Sequence, residues 1–337
     1  MRNIYDLTIK ELEDYFISIN EKKFRAVQVY EALYKRRIKS FDDMTNISKE
    51  VREKLKQDFS FYKIKMLIKQ QGKNVNKYLF ELEDGNKIES VLMFHDYGTS
   101  ICVSSQVGCN MTCAFCESGR LKKVRNLLAY EIVQQILQIE EDINKRITHV
   151  VLMGIGEPFD NYDNVLRFVK IINCGKGIDI GSRHITISTC GVIPGIKKFM
   201  NEEGQVNLAI SLHAPNNALR SRIMPINKAY PLNELMETIK EYINKTNRRV
   251  TFEYIMLENV NDSEENAKEL ALLLKGINCY VNLIPYNETE NIEFKRTKEW
   301  KIMKFYDILK KNKINVTIRK EFGGSVDAAC GQLRANN

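Results

Sequence analysis

Hydrophobic and polar positions along this chain change their period twice, and the changes mark out its regions. Over residues 1–60 the spacing is helical. Ile9, Leu12, Phe16 and Ile19 recur every three or four residues, as do the apolar positions between Ala26 and Leu33 in FRAVQVYEALYKRR. Ser48 ahead of Glu50-Val51-Arg52 reads as the capped start of a further helix. From Phe61 to Met93 the pattern alternates instead. IKMLIKQ, NKYLFELEDG and KIESVLM read as short strands, with Asp84-Gly85 at a hairpin turn. The expected organisation is a helical accessory domain over 1–60, a short β-rich linker over 61–95, a core over 96–320 and a tail over 321–337.

In the core, strand-like and helix-like runs alternate six times. Strands are predicted at 100–104, 148–153, 184–188, 206–212, 249–256 and 280–284. Helices are predicted at 127–143, 163–172, 193–200, 232–243, 263–274 and 297–311. This is α/β texture: a parallel sheet wrapped by helices, either open or a partial barrel. In such folds the chemistry sits beyond the C-terminal ends of the strands. A last strand, INVTIRK, leads into EFGGSVDAACGQLRANN.

Composition narrows the class. At 337 residues, 44% hydrophobic and 28% charged, the chain suits a globular enzyme with a large core. No apolar run approaches the ~18 residues that span a bilayer, so a cytoplasmic protein without a membrane partner is expected. In that compartment eight cysteines argue for metal or redox chemistry over structural disulfides. The net charge of +8 favours a polyanionic partner. Two basic clusters, Lys35-Arg36-Arg37 with Lys39 and Arg120-Lys122-Lys123-Arg125, are either solvated faces or grips for an RNA backbone.

Half of the cysteines fall in CVSSQVGCNMTCAFCESG. Cys109, Cys113 and Cys116 are spaced CxxxCxxC, a ligand pattern for a soft metal centre. Structural zinc takes four ligands, and none of the four histidines lies in or just behind this loop. A 4Fe–4S cluster takes one cysteine per iron, so three leave one iron open to a small molecule. A zinc knuckle completed from elsewhere, or plain buried cysteines, remain open on spacing alone. Phe115 stands where it would shield such a centre from water. Polar residues also close the predicted strands: Gly154-Ile155-Gly156-Glu157-Pro158, Ser188-Thr189-Cys190-Gly191, Ser211-Leu212-His213 and Pro285-Tyr286-Asn287. Cys330, flanked by small residues in the tail, is a thiol that other groups can approach. Cys174, Cys190 and Cys279 read as small packed hydrophobes.

The cysteine loop looks like the signature of radical S-adenosylmethionine (SAM) enzymes, and the whole chain resembles the RlmN/Cfr family of radical SAM RNA methyltransferases. The resemblance rests on FRAVQVYEALYKR, ESVLM, CVSSQVGC, GxGEPxDNYDNV, SLHAPN, MPINK, VTFEYIML, NLIPYN and DAACGQL. FEYIML, NLIPYN and EPxDNYDNV look more like the RlmN branch, which methylates adenine carbon 2, than the Cfr branch, which methylates carbon 8. There are departures: Ser118-Gly119 after Glu117, the basic LKKVRNL, Ile155, Cys190, and a tail without the usual Asp-Ile before Asp327. They surround the pocket and leave the target nucleotide and carbon open.

The resemblance implies a partial (βα)6 radical SAM barrel with a small N-terminal helical domain. It implies one 4Fe–4S cluster on Cys109, Cys113 and Cys116, and two SAM molecules per turnover. One SAM methylates Cys330. The second yields a 5′-deoxyadenosyl radical that takes a hydrogen from the S-methyl group, and the methylene radical adds to adenine. Cys102 then attacks the Cys330 sulfur, forming a transient disulfide that releases methylated RNA. Glu89 matches a general base. Gly156, Glu157, Ser188, Ser211, Leu212, His213 and Asn287 match SAM-contacting positions. The implied substrate is the peptidyl-transferase-centre adenosine of 23S rRNA, adenosine 2503, and also tRNA, with an extruded or unpaired adenine presented to the pocket. A monomer served by an external electron donor such as flavodoxin or ferredoxin is expected. A non-catalytic iron–sulfur RNA-binding module is the reading from another class.

Overall fold

The computed structural model describes residues 1–202, 204–319 and 331–333. Ten strands form one sheet: β1 (Lys65–Gln71), β2 (Val75–Glu81), β3 (Lys87–His95), β4 (Gly98–Cys102), β5 (His149–Leu152), β6 (Ile185–Thr189), β7 (Asn207–Ser211), β8 (Val250–Met256), β9 (Cys279–Pro285) and β10 (Val316–Ile318). Their order across the sheet is their order in sequence, with β1 and β10 at opposite edges. The six predicted strand–helix units correspond to β4–β9, which run parallel, and β10 adds a seventh parallel strand. The helices that follow are α4 (Ala129–Ile143), α5 (Tyr162–Asn173), α6 (Ile193–Phe199), α7 (Asn217–Ile223), α8 (Leu232–Thr246), α9 (Glu264–Leu273) and α10 (Glu299–Lys311), numbered after the three of the N-terminal region.

Two features differ from the sequence reading. Residues 61–95 carry the three expected short strands as β1–β3, but these extend the core sheet as antiparallel strands instead of forming a separate linker. The reason is the short turn at 96–97: it folds β3 back on β4, so Val91 pairs with Cys102 and His95 with Gly98. Helix α7 has no counterpart in the prediction. Its segment NALRSRI is short, with just Leu219 and Ile223 at helical spacing, and Asn216 starts it by accepting the Leu219 N–H at 2.9 Å.

The N-terminal region holds α1 (Ile9–Ser18), α2 (Phe24–Tyr34) and α3 (Lys49–Asp58). Thr8 and Glu11 form a capping box on α1, and Ser48 caps α3 as its sequence implies. Leu12, Phe16, Ala26, Val29 and Leu33 are buried together. This unit docks on α4 and α5 through polar anchors: Arg167 with Glu11 (2.5 Å), the Tyr130 N–H on Asp6 (3.3 Å), and Arg37 with Glu140.

Most of both basic clusters is spent on such anchors. Arg37 holds α4, Lys35 pairs with Glu31 and Arg36 bonds Asn46. In the second cluster Arg125 is bidentate on Glu131 and also reaches Asp84, while Lys123 meets Asp160. These charges brace the fold more than they offer a free backbone grip.

Burial alone would raise the Glu11 carboxyl, but Arg167, the Thr8 N–H and Arg2 outweigh it and hold it at about 2, against an ordinary 4.5. The folded-state value lies below the unfolded one. The stabilisation is therefore complete above pH 4.5 and is lost as pH falls toward 2. Solvent screens this half-exposed carboxylate, so the effect is small. Arg167→Met is expected to flatten the loss of stability across that window, as read from urea midpoints. An unchanged slope would show that the pair contributes nothing to docking.

Candidate active site

The register of the sheet decides which residues face inward. Side chains alternate along each strand, and paired residues share a face. Val91 pairs with Cys102, Cys102 with Val151, Val151 with Thr186, and Ser211 with Glu253, which pairs in turn with Asn282. Glu89, Val91, Cys102, Met153, Ser188, Ser211, Glu253 and Asn282 therefore lie on one face. One cavity opens over it at the C-terminal ends of the strands. It is lined by Cys109, Cys113, Cys116, Gly156, Glu157, Ser188, Ser211 and His213, together with Met153, Cys190, Glu253, Arg319 and Gly331.

The cysteine loop is fixed backbone to backbone against the turn after β5. Ser105 and Gln106 donate N–H groups to the Ile155 carbonyl (2.9 and 3.1 Å), and Gly154 donates to Val103 (3.1 Å). A Cβ at Gly154 would stand 2.7 Å from Val103 backbone, and Gly156, at φ +109°, leaves no room beside Gln106. Those glycines permit this close approach of backbone to backbone. A two-residue ladder, Gln106–Val107 with Arg125–Asn126, closes the base of the loop.

Glu157 is fully buried. Its Oε1 accepts the Phe159 N–H at 2.9 Å and its Oε2 the Cys190 N–H at 2.7 Å. Burial pushes its carboxyl upward despite these bonds. Cys190 is thus more than a packed hydrophobe, since its N–H orients a cavity carboxylate. The signal that sequence reasoning missed is a backbone one, invisible in side-chain spacing.

His213 adopts φ +59°. Its Nδ1 accepts the Ile255 N–H at 3.0 Å, which leaves Nε2 as the protonated, donating nitrogen. Burial first, and then Arg220, pull its pKa down to about 3. Phe115 meets this ring edge-on at 4.9 Å, so it orders the histidine as well as screening the loop. The imidazole is accordingly expected to stay neutral from about pH 5 to 8, as read from the NMR shifts of its ring carbons. A step near pH 6.5 that vanishes in His213→Gln would contradict this protonation state.

Not every predicted position reaches the cavity. Leu212 is buried beneath it, with its N–H on the Glu253 carbonyl and its own carbonyl held by Arg220. Asn287 sits at the end of β9, its Nδ2 3.5 Å from the Pro285 carbonyl, outside the lining. Glu89 is buried on β3 and ion-paired with Lys77 at 3.2 Å. Cys102 is buried with Val91, Met93, Ile155 and Leu333. Cys330 lies outside the described residues. Residues 331–333, just after it, are held to the cysteine loop: Glu117 N–H donates to the Gly331 carbonyl (2.8 Å) and the Ser118 hydroxyl to the Leu333 carbonyl (2.6 Å).

The donor set fits an iron–sulfur cluster. Among the described residues no three His, Cys, Asp or Glu side chains converge closely enough for one metal ion. A 4Fe–4S cube is larger and takes its thiolates one per iron. Burial pushes the Cys109 thiol up to about 12 and Cys113 well above its usual range, so thiolates here call for a metal to neutralise them. Glu157, the Ser188 and Ser211 hydroxyls and His213 Nε2–H supply the acceptor and donors that a zwitterionic nucleoside such as SAM needs.

Comparison with known proteins decides the family. Residues 2–60 match the ribosomal RNA large subunit methyltransferase N-terminal domain, and residues 103–271 match the radical SAM superfamily. The chain is 54% identical to the probable dual-specificity RNA methyltransferase RlmN of Spiroplasma citri, covering 100% of this chain and 98% of that protein. The chain belongs to the RlmN family. The RlmN of Enterococcus faecalis is also 54% identical, over 99% of this chain and 96% of its own length. A radical SAM methyltransferase from Sphaerobacter thermophilus superposes with a TM-score of 0.94 at 40% identity, over the whole of both chains. As an RlmN-family member, the protein is a SAM-dependent radical RNA methyltransferase that uses a 4Fe–4S cluster and SAM. Its fold is that of the radical SAM enzymes with an added N-terminal domain.

Proposed function

We propose that this enzyme methylates adenine carbon 2 of adenosine 2503 in 23S rRNA, and also tRNA, through an S-methyl group on Cys330. Carbon 2 lies on an electron-poor ring and is no nucleophile, so displacement on SAM's methyl group cannot alkylate it. In this reading Cys109, Cys113 and Cys116 hold the cluster. Glu157, Ser188, Ser211 and His213 hold SAM, with Gly156 leaving room for it, Leu212 shaping the site from beneath and Asn287 acting from just past the end of β9. When bound, cluster and SAM supply a hydrogen-abstracting radical.

The chain's own groups do the rest. Cys330 carries the methyl group, loses one of its hydrogens and presents a methylene radical to the ring. Glu89 removes the proton from the substituted carbon, with Lys77 as its partner, and the adduct gives its unpaired electron back to the bound cluster, so that it is closed-shell before resolution. Cys102 attacks the Cys330 sulfur; an S–S bond forms, the S–C bond to the nucleotide breaks, and the carbon keeps the electron pair and takes a proton. The observation that carries this reading is the seat of residues 331–333. Gly331, next in the chain to Cys330, lines the cavity, and Leu333 packs against Cys102.

The names of the RlmN relatives, dual-specificity RNA methyltransferases, support two RNA substrates. Among the described residues no helix is long and apolar enough to cross a membrane, and we place the enzyme in the cytoplasm as a monomer reduced by flavodoxin or ferredoxin. Mass spectrometry of nucleosides from RNA treated anaerobically tests the target. 2-Methyladenosine is expected. 8-Methyladenosine would move the enzyme to the Cfr-like branch, which the departures around Ser118 and Cys190 keep as the second reading.

A further inference from the structure

We propose that Arg220 is the built-in counter-charge of the iron–sulfur cluster, raising its reduction potential from behind the cysteine loop. Arg220 is 0% exposed, the largest side chain buried so completely. Its hydrogen-bond partners are all neutral: the carbonyls of Leu212 (3.2 Å), Cys190 (2.6 Å) and Ser211 (3.2 Å), and Asn227 Oδ1 (3.0 Å). Burying a cation without a paired anion is strongly unfavourable. Such a charge is retained where a negative group nearby completes it.

Two groups stand on the far side of these partners. Glu157 is joined to Arg220 through one residue, since Cys190 gives its N–H to the carboxylate and its carbonyl to the guanidinium. That carboxylate is assigned to SAM's ammonium group. The other is the cysteine loop. Helix α7, which carries Arg220, accepts the Ala114 N–H on the Ile223 carbonyl at 2.9 Å, between Cys113 and Cys116. Cys113, Cys116, Cys190, Ile223 and Met224 pack in one apolar cluster, so little water screens the guanidinium from the thiols. Consistently, Arg220 works against the burial that raises the Cys113 thiol.

Three thiolates leave an oxidised 4Fe–4S cluster net negative, and the electron delivered by the external donor adds one more charge. A fixed cation nearby favours the reduced form. This arrangement makes the cluster easier to reduce without a titratable group or a solvent-exposed charge. The inference rests on the assignment of Cys109, Cys113 and Cys116 to the cluster.

The test is an anaerobic redox titration of the reconstituted enzyme, followed by electron paramagnetic resonance, for wild type, Arg220→Gln and Arg220→Lys. Arg220→Gln keeps hydrogen-bonding capacity but loses the charge. It is expected to retain its iron, while its reduced-to-oxidised ratio at fixed ambient potential falls on the order of tenfold, equivalent to about 59 mV for one electron. Arg220→Lys keeps the charge and is expected to titrate like wild type. A wild-type midpoint in iron-replete Arg220→Gln overturns the proposal, as does a midpoint in Arg220→Lys lowered as far as that of Arg220→Gln. If the glutamine variant takes up no iron, the lysine variant decides alone: a wild-type midpoint supports the counter-charge and a lowered one refutes it. Iron content separates this from the ligand assignment, which fails only if the cluster survives loss of its cysteines.

Discussion

Cys113→Ala is expected to fold and to bind no 4Fe–4S cluster. The middle cysteine of the loop faces the cavity with Cys109 and Cys116, while the backbone that shapes the loop is anchored by carbonyls and amides that the substitution leaves alone. Cys116 N–H bonds the Cys113 carbonyl at 3.1 Å, and Ala114 N–H bonds Ile223. Removing one small thiol from this apolar pocket costs about 1 kcal/mol of stability, but it removes one of three ligands. Anaerobic reconstitution should give about four irons per chain for wild type and none for the variant, with methyl transfer lost entirely. Four irons in Cys113→Ala would take this residue out of the ligand set.

The second large effect is expected from Cys102→Ala, which should convert a turnover enzyme into a trap. Cys102 ends β4 and is buried against Val91, Ile155 and Leu333, the residue three places after Cys330. Alanine fills that place without disturbing the strand, because its pairing with Val91 and Val151 is made by backbone. Radical addition proceeds through Cys330, but no thiol remains to attack its sulfur, and the RNA stays bonded to the protein. A denaturing mobility assay should show roughly one covalent adduct per chain and almost no released product. Free RNA alone, under conditions where wild type turns over, would refute the resolving role.

What the sequence made legible follows from what its patterns report. Strand ends such as Ser188, Ser211 and His213 could be placed because alternation locates strands, and the ends of parallel strands share one face. The cysteine loop could be read because thiolate spacing is local. Side chains that act through backbone groups could not. Arg220 sits in a short segment with just Leu219 and Ile223 at helical spacing, and its partners include carbonyls up to thirty residues away. Cys190 offers an amide rather than its sulfur. Glu253 looked like one charge in FEYIML, yet it is buried in the cavity, with Oε1 on Asn282 at 2.9 Å and Arg319 3.7 Å from Oε2. The basic runs misled in the other direction, because charge counts do not reveal that Arg37, Lys123 and Arg125 are already paired. The strands expected over 61–95 are there, but that they join the core sheet could not be read, because strand pairing depends on a partner edge, which the folded β4 provides.

The most direct test of the central claim, methyl transfer by way of Cys330, is to supply SAM with a fully deuterated methyl group and weigh the product nucleoside. If Cys330 carries the methyl group and loses one of its hydrogens before attacking adenine, the product holds two deuterium atoms and the third appears in 5′-deoxyadenosine. A product methyl group that keeps all three would mean direct, intact transfer, and would contradict the role assigned to Cys330.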